Sequence, residues 1–316
     1  CSMAHRLGTS SSDIVTAVDY LRSGGVVGVP TETVYGLGAD ASNKHAVANI
    51  FEAKGRPSFN PLIVHVSDIT TAKRYAEWNA QAENLAQAFW PGPLTLVLPR
   101  LAAASLSSLV TAGAATVAIR VPAHPVAQRL LKQFDGAIAA PSANPSGQIS
   151  PTRAAHVIEG LGNTVSAVLD GGPCDVGLES TIVGIENAGS TLRLLRPGGL
   201  AREDIEQHLG VALETYQTPG LISAPGQLAS HYAPKARLRL NATDWTGDEN
   251  RLGFGDVACD LNLSTSGNLT EAACNLFHCL HLLDSGPETI IAVSPIPEIG
   301  LGQAINERLR RAAAPR

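Results

Sequence analysis

The chain has 316 residues, which at roughly 150 residues per domain predicts two domains. A composition that is 44% hydrophobic and 16% charged excludes an intrinsically disordered chain, because such chains carry too little apolar surface to form a core. The formal net charge of −5 excludes binding to nucleic acid by bulk electrostatic attraction, which needs a strongly basic domain.

Helices and strands are predicted to alternate over residues 1–210. Apolar residues at positions 14, 15, 18 and 21 have helical spacing, whereas short apolar runs between turn formers predict buried strands. In chain order the predicted elements are helix 13–21, strand 26–30, helix 46–53, strand 62–66, helix 72–89, strands 94–98 and 117–121, helix 124–134, strands 137–140, 165–169, 180–185 and 192–196, and helix 202–209. This alternation predicts a layered α/β (α+β) domain.

A proline- and glycine-rich stretch over residues 211–235 is predicted to link this domain to a second one. The second domain, residues 236–316, is predicted to be a small α/β unit. Its predicted elements are strands 237–240, 252–254 and 289–293 and helices 268–283 and 302–314.

Two features bear on the compartment. No apolar run approaches the roughly 20 residues that span a bilayer, and the amino end lacks the apolar segment of a secretory signal. The five cysteines are an odd number without a C-x-x-C pair, so a disulfide framework is not expected. We therefore expect a cytoplasmic protein without a membrane segment.

The sequence gives little support for the common motifs of nucleotide-binding, metal-binding and hydrolytic sites. The patterns GxxxxGK[ST], HExxH and GxSxG are absent, and two loose G-x-G-x-x-A matches at 36–41 and 253–258 lack a clear βαβ unit with a ribose-binding acid. Cys274, His278 and His281 are spaced so that one helical face could present three metal ligands. That segment is apolar on almost every side, so we favour core packing and predict no metal site.

Cations and hydroxyl groups near strand ends form the candidate site. Lys54 and Arg56 stand in a Gly/Pro loop before a strand, where fixed cations and backbone donors can hold phosphate. Arg120 and Arg196 each close an apolar strand, at a position that lines crevices. Hydroxyl-rich loops stand at further strand ends, over residues 30–36, 140–147 and 179–181. Each feature alone is typical of a surface loop, but together they predict the rim of one polar pocket.

Eight segments resemble those of the Sua5/YrdC-type threonylcarbamoyl-AMP synthases. In family order and spacing they read PTETVYGL (30–37), KGRPSFNPLIVH (54–65), PGPLTLVL (91–98), VAIRVP (117–122), PSANPSG (141–147), DGG (170–172), ESTIV (179–183) and LRPG (195–198). The phrase APGQLASHYAPKA (224–236) resembles the entrance to the additional C-terminal domain of the Sua5 branch. The resemblance implies a YrdC-like twisted sheet with flanking helices, followed by a small α/β Sua5 domain.

The resemblance also implies an activity, that of an L-threonylcarbamoyladenylate synthase. Such a nucleotidyltransferase joins L-threonine, bicarbonate or CO2, and ATP, which Mg²⁺ would accompany, and releases pyrophosphate. A separate tRNA threonylcarbamoyl-transferase complex would use the product to modify adenosine 37 of tRNAs that read ANN codons, so strong direct binding of nucleic acid is not expected. Positioning and electrostatics, rather than a covalent nucleophile, would supply most of the rate.

Site residues follow from the same resemblance. Lys54 and Arg56 are expected to be catalytic and to contact the ATP phosphates, and the linker residue Tyr232 is expected to close over ATP as part of a lid. The other residues expected around ATP are Asn60, Thr116, Ser142, Asn144, Ser150 and Arg196. The residues expected around L-threonine are Thr33, Tyr35, His65, Arg120 and Ser180, with Arg120 pairing with the carboxylate. Where the family phrase has Met-Lys, this chain has Gln227-Leu228, so the contact of that lysine is not carried over.

Two other functions remain open. An RNA-binding YrdC-like module is one, although the negative charge and the lack of a basic aromatic stripe count against it. Carbamoyl transfer in hydrogenase maturation is the other, but the related domain there accompanies acylphosphatase and zinc-finger segments, which this chain lacks.

Overall fold

The computed structural model describes residues 4–215, 224–225 and 227–315. The helices before residue 215 are α1 (Ser11–Arg22), α2 (Lys44–Lys54), α3 (Ile69–Ala72), α4 (Ala80–Phe89), α5 (Ser108–Thr111), α6 (Pro125–Phe134), α7 (Ala154–Leu161) and α8 (Arg202–Leu209). The strands there are β1 (His5–Leu7), β2 (Val27–Val29), β3 (Gly36–Asp40), β4 (Ile63–His65), β5 (Leu94–Pro99), β6 (Thr116–Arg120), β7 (Ile138–Ala139), β8 (Ala167–Leu169), β9 (Thr181–Glu186), β10 (Thr191–Arg196) and β11 (Glu214–Thr215).

Within residues 4–215, eleven strands form one mixed sheet in the order β1-β8-β2-β3-β7-β4-β6-β5-β9-β10-β11. Strands β4 and β6 run parallel, which places His65 opposite Arg120 at their carboxyl ends. Strand β5 is antiparallel to β6 and parallel to β9, and β10 is antiparallel to β9, with Arg196 opposite Ile182. The ends of β4, β6 and β10 and the starts of β5 and β9 therefore meet at one edge of the sheet.

Helices cover both faces of this sheet. On one face, Ile14 and Val18 of α1 pack with Leu130 of α6 against strand residues such as Leu169. On the other face, α2, α4 and α7 pack against strand residues such as Val168. Residues 168 and 169 point to opposite faces because side chains alternate along a strand. The predicted layered α/β class is confirmed.

The end of α2 is built to deliver two cations. The Asn43 side chain accepts hydrogen bonds from the backbone of His45 and Ala46 and so caps the start of the helix. Gly55 ends it with a φ of 60°, in the left-handed region that favours glycine. The chain therefore turns sharply between Lys54, the last helical residue, and Arg56.

The predicted continuous helix 72–89 is wrong. Helix α3 ends at Ala72, and α4 begins at Ala80, where the Asn79 side chain accepts a hydrogen bond from the Ala82 backbone. Between them the chain runs beside β5, since Glu77 N donates to Pro99 O over 2.8 Å. The chain thus leaves the helix after Ala72, and Glu77 hydrogen-bonds with the strand.

Several short elements were not expected from the sequence. Strand β3 contains Gly36 and Gly38, residues with low strand propensity, yet a side chain at position 38 would crowd Ile138 at 3.1 Å. Strand β11 falls inside the stretch predicted to be a linker, while residues 216–223 and 226 of that stretch lie outside the described ranges. The other unexpected elements are β1, α5, α7 and, in the C-terminal part, the short strand Leu261–Asn262.

The C-terminal part contains β12 (Arg237–Arg239), β13 (Asn250–Gly253), β14 (Leu261–Asn262), α9 (Leu269–Leu283), β15 (Ile290–Val293) and α10 (Leu301–Ala313). Its strands form a parallel sheet in the order β12-β15-β13-β14, and α9 and α10 contribute to its apolar core. No helix in the described part of the chain has both the length and the apolar character of a membrane span.

The face of α9 that could have presented metal ligands lies against the first domain rather than in the apolar core. Cys274 Sγ donates to Cys174 O over 3.5 Å, and His281 Nε2 contacts Ser150 O at 3.1 Å. His278 Nδ1 lies 3.2 Å from Nε2 of His156 in α7. These side chains form a contact between the two domains, which corrects the expectation of core packing. Among the described residues, no group of three or more His, Cys, Asp or Glu side chains could hold a metal ion.

Candidate functional site

A polar cavity lies at the sheet edge where these strand ends meet. Its lining comes from the loop after β2, the end of α2, strands β4, β6 and β10, the loop after β7, and the residues just before β9, together with a segment that precedes the C-terminal domain. The described residues that line it are Thr31, Thr33, Val34, Gly36, Arg56, Ile63, His65, Arg120, Ala140, Pro141, Ser142, Glu179, Ser180, Arg196, Pro225, His231 and Tyr232.

Backbone carbonyls hold Lys54, at the end of α2, and Arg56, just after it. Lys54 Nζ donates to the carbonyl oxygens of Ser142 and Asn144 over 2.5 Å each and so shapes the loop after β7. Arg56 donates from Nη2 to Pro61 O over 2.9 Å and from Nε to Asn60 O over 3.3 Å. These contacts fix the position of the Arg56 guanidinium without neutralising its charge.

Arg120 is fixed on three sides. Its Nε donates to Gly92 O over 3.1 Å, and its Nη1 donates to Thr33 Oγ1 over 2.9 Å. Its Nη2 forms a buried ion pair with Glu32. The Thr33 hydroxyl also lies 2.9 Å from the hydroxyl of Thr31. The guanidinium therefore organises the hydroxyl groups of the loop after β2.

Arg196 plays a similar role for the residues before β9. Its Nη2 lies 2.8 Å from Ser180 O and 3.2 Å from Ser180 Oγ, and its Nε lies 3.1 Å from Ser180 O. The Ser180 hydroxyl lies 2.7 Å from that of Thr95 in β5. Because these donors and acceptors are buried, the Ser180 hydroxyl has a defined place at the cavity wall.

Positive charge exceeds negative charge at the cavity. Among the described lining residues there are three arginines but one carboxylate, Glu179. Burial and the nearby charge of Arg196 lower the pKa of Arg56 to about 10, and burial likewise lowers the pKa of Arg196. Burial, with the charge of Arg56, lowers the pKa of Lys54 well below its usual value. Neighbouring buried cations repel one another, and a bound anion would reduce this repulsion. The cavity therefore suits an anionic ligand.

Several buried polar atoms near the cavity have no hydrogen-bond partner in the described part of the protein. They include His65 Nδ1, Asn60 Oδ1 and the Tyr232 hydroxyl. Burial lowers the pKa of His65 to about 4, so this imidazole is neutral near pH 7. Unpaired buried polar atoms are costly, and a polar ligand would supply the missing partners.

His231 and Tyr232 cover the cavity from the side of the C-terminal domain. Their rings meet edge to face with centroids 4.0 Å apart, and Tyr232 has a φ of 59°. The Tyr232 ring also stacks on Phe277 of α9 at 5.9 Å, while His231 N donates to the Arg311 carbonyl of α10 over 3.2 Å. The C-terminal domain thus holds these two residues in place.

The structure brings most of the residues expected at the site together. Those that line the cavity are Thr33, Arg56, His65, Arg120, Ser142, Ser180, Arg196 and Tyr232. Lys54, Asn60, Asn144 and Ser150 are buried and do not line this cavity. The Tyr35 hydroxyl donates to Gly172 O over 2.7 Å, which ties the loop after β2 to the DGG segment. Thr116 is exposed at the first residue of β6, at the opposite end of that strand from Arg120.

Three charged residues at the site were not expected from the sequence. Glu32 and Glu179 each directly precede an expected hydroxyl residue, so a search for acidic neighbours of Thr33 and Ser180 could have found them. Arg308 of α10 donates from Nε to Glu179 Oε2 over 2.8 Å. No local signal marks Arg308, because it reaches the site only through the packing of the second domain.

Comparison with known proteins gives matches over nearly the whole chain. A family profile described as "Telomere recombination" matches residues 19–198, and one described as "Threonylcarbamoyl-AMP synthase, C-terminal domain" matches residues 200–314. A threonylcarbamoyl-AMP synthase of Pyrococcus abyssi is 39% identical over 94% of this chain and 93% of its own length. One of Bacillus subtilis is 39% identical over 98% of this chain and 95% of its own length.

A solved structure gives the same result. The crystal structure of Pyrococcus abyssi Sua5 complexed with L-threonine superposes with a TM-score of 0.91 at 36% identity. The superposition covers 99% of this chain and 98% of that chain, so both domains are included.

Proposed function

The chain belongs to the Sua5/YrdC family of threonylcarbamoyl-AMP synthases, in the form that carries the Sua5 C-terminal domain, and we propose that the cavity at the sheet edge is its active site. The activity that follows from this membership is the synthesis of threonylcarbamoyl-AMP from L-threonine, bicarbonate and ATP, with release of pyrophosphate. The observation that carries the assignment of the site is the excess of buried arginines over carboxylates at the cavity.

The reaction explains why such an excess is useful. The amine of threonine adds to CO2, which bicarbonate supplies, and loses a proton to give a carbamate. A carbamate oxygen then attacks the α-phosphorus of ATP, and the bond from this phosphorus to pyrophosphate breaks. Two anions must therefore approach each other, and negative charge then develops on the departing pyrophosphate. Fixed cations in a buried site reduce the repulsion between the anions and stabilise the charge that develops.

L-threonine is assigned to the part of the cavity formed by Thr33, His65, Arg120 and Ser180. The hydroxyl groups of Thr33 and Ser180 each have two partners in the protein and one remaining hydrogen-bonding position for the substrate. The neutral His65 imidazole can accept a hydrogen bond from the substrate amine. Since Arg120 is already paired with Glu32, its remaining N–H groups would bind the substrate carboxylate. Tyr35 would act indirectly, by fixing the loop that carries Thr33.

ATP is assigned to the side of the cavity that holds Arg56 and Arg196. Lys54 orders the loop of Ser142 and Asn144 from behind, and Asn60 and Ser150 lie next to this region. Tyr232 would cover the nucleotide and exclude water from the mixed anhydride product. Thr116, the first residue of β6, remains a predicted contact of the nucleotide.

Mg²⁺ would reach the site with ATP. The described residues offer no dedicated set of ligands, because Glu32 and Glu179 are ion-paired with arginines. We therefore assign the ion to the phosphate oxygens and assign no step to it. A separate tRNA threonylcarbamoyl-transferase complex would use the product, which is consistent with a chain of net charge −5 that need not hold tRNA itself.

The proposed function is tested by measuring pyrophosphate release together with formation of threonylcarbamoyl-AMP by mass spectrometry. Both should require L-threonine and bicarbonate, and neither should occur when threonine is replaced by alanine at equal concentration. Pyrophosphate release that is independent of threonine would contradict the assignment.

A further inference from the structure

Arg308 connects the C-terminal domain to the wall of the cavity. It lies on α10, and only 1% of its surface is exposed. Its Nε donates to Glu179 Oε2 over 2.8 Å, and its Nη1 donates to Pro197 O over 2.8 Å. Both partners belong to the first domain, so the side chain crosses the boundary between the domains.

Arg308 is ion-paired with two carboxylates, Glu307 of the same helix and Glu179. Glu179 is the one carboxylate among the described residues that line the cavity. The other oxygen of Glu179 accepts a hydrogen bond from Ser150 Oγ over 2.5 Å. Among the described residues, Arg308 is the cation that forms an ion pair with Glu179. Without it, a buried negative charge would face any anion that enters the cavity.

Arg308 also contacts the residue that covers the cavity. Its guanidinium carbon lies 5.1 Å from the centroid of the Tyr232 ring, which is cation–π geometry. The next turn of α10 holds the same segment, because the Arg311 guanidinium donates to Leu228 O. One guanidinium therefore touches the cavity wall and the segment over it at the same time.

We propose that Arg308 is a positioning residue for ATP, which neutralises Glu179 and holds Tyr232 at the cavity, so that the C-terminal domain completes the nucleotide site. This inference rests on the proposed function, because it assumes that ATP occupies the cavity. ATP carries several negative charges, whereas threonine is a zwitterion without net charge. An unpaired carboxylate at the wall therefore penalises ATP far more than threonine.

The test compares variants of the full chain by steady-state kinetics. Arg308→Met should raise the KM for ATP at least about tenfold, because it removes the ion-pair partner of the buried Glu179, while the KM for L-threonine should change by less than about threefold. Arg308→Lys keeps the charge but cannot contact Glu179, Pro197 and Tyr232 together, so it should raise the KM for ATP by a smaller factor. Arg310→Met, which removes an exposed arginine of the same helix, should leave both KM values unchanged.

A double variant separates charge from structure. Adding Glu179→Gln to Arg308→Met removes both charges and should recover part of the affinity for ATP, which a purely structural role of Arg308 would not do. An unchanged KM for ATP in Arg308→Met, an equal rise in both KM values, or no recovery in the double variant would overturn the proposal. If Arg308→Met does not fold, an unchanged KM for ATP in Arg308→Lys would overturn it. A wild-type chain that makes no threonylcarbamoyl-AMP would instead refute the proposed function.

Discussion

Arg120 donates a hydrogen bond of 2.9 Å from Nη1 to the hydroxyl oxygen of Thr33, a residue that lies 87 positions earlier in the chain. The ion pair between Arg120 and Glu32 restrains the same guanidinium, so the loop after β2 is tied to the end of β6. This arrangement gives the Thr33 hydroxyl a fixed direction in the cavity.

Thr33→Val should raise the KM for L-threonine about tenfold, since a hydrogen bond to a charged group contributes roughly 1.5–3 kcal/mol. The KM for ATP should stay within about twofold of the wild type, because the substitution leaves the nucleotide side of the cavity unchanged. Steady-state kinetics with each substrate varied in turn checks this. Thr164→Val, at an exposed position, is the matched control. An unaltered KM for L-threonine would remove Thr33 from the threonine site.

Arg56→Ala should reduce kcat/KM for ATP at least about 100-fold, because it removes a fixed cation from the site where pyrophosphate charge develops. The circular dichroism spectrum should remain that of the wild type. Arg74→Ala removes a half-exposed arginine whose only described ion pair is with the exposed Asp135, and it should leave the rate unchanged. Near-normal turnover of Arg56→Ala would place this residue outside the phosphate site.

Gly198→Ala should displace the backbone of Ser180 at the wall of the cavity. A Cβ at position 198 would approach Ser180 C and Thr181 N to 2.5 Å, and these are backbone atoms that cannot rotate away. Such overpacking costs about 1–3 kcal/mol of unfolding free energy, and the displaced Ser180 should lower activity further. Chemical denaturation and the rate of pyrophosphate release measure the two effects. Gly247→Ala, where a Cβ meets no atom within 4 Å, should change neither.

Buried histidines predict a loss of stability in acid. Burial lowers the pKa of His65 to about 4 and that of His231 to about 3, and burial with the facing His281 and His278 lowers the pKa of His156 to about 3. In the unfolded chain histidine titrates near pH 6.5, so below that pH the unfolded state binds more protons than the folded state. The stabilising contribution should be complete above about pH 6.5 and should be lost progressively toward about pH 3, seen as a declining Tm.

His156→Asn should make this decline less steep. The Asn side-chain oxygen can replace His156 Nδ1 as the acceptor for Thr152 N, which now donates over 3.1 Å, but the amide does not titrate. The measurement is Tm between pH 7.5 and 4.5. His45→Asn, at an exposed position, should leave the slope unchanged. A slope for His156→Asn equal to that of the wild type would exclude His156 as a source of the acid sensitivity.

The site residues at the ends of strands could be predicted, because short sequence patterns around them mark the strands. Short apolar runs between turn formers mark β6 and β10, and Arg120 and Arg196 are the residues that end these strands. Which hydroxyl groups these arginines contact depends on strand order. The pairs Arg120–Thr33 and Arg196–Ser180 are therefore visible only in the folded sheet.

The remainder depended on long-range packing. Helical periodicity could not reveal that the chain leaves the helix after Ala72 and that Glu77 hydrogen-bonds with β5. The low strand propensity of Gly36 and Gly38 likewise obscured strand β3. The histidines and Cys274 on α9 have the spacing of a helix face, but the sequence does not show that this face meets α7. Arg308 lies 129 residues from Glu179, and only the docking of two domains brings them together.

The ion pair between Glu179 and Arg308 also has a thermodynamic consequence. If the C-terminal domain unfolded by itself, the first domain would lose the ion-paired partner of a buried carboxylate and the packing of α9 against α7. The free energies of unfolding of the two domains are therefore coupled, because neither can gain chain entropy without the other losing interactions. Calorimetry should consequently show one cooperative melting transition for the whole chain rather than two.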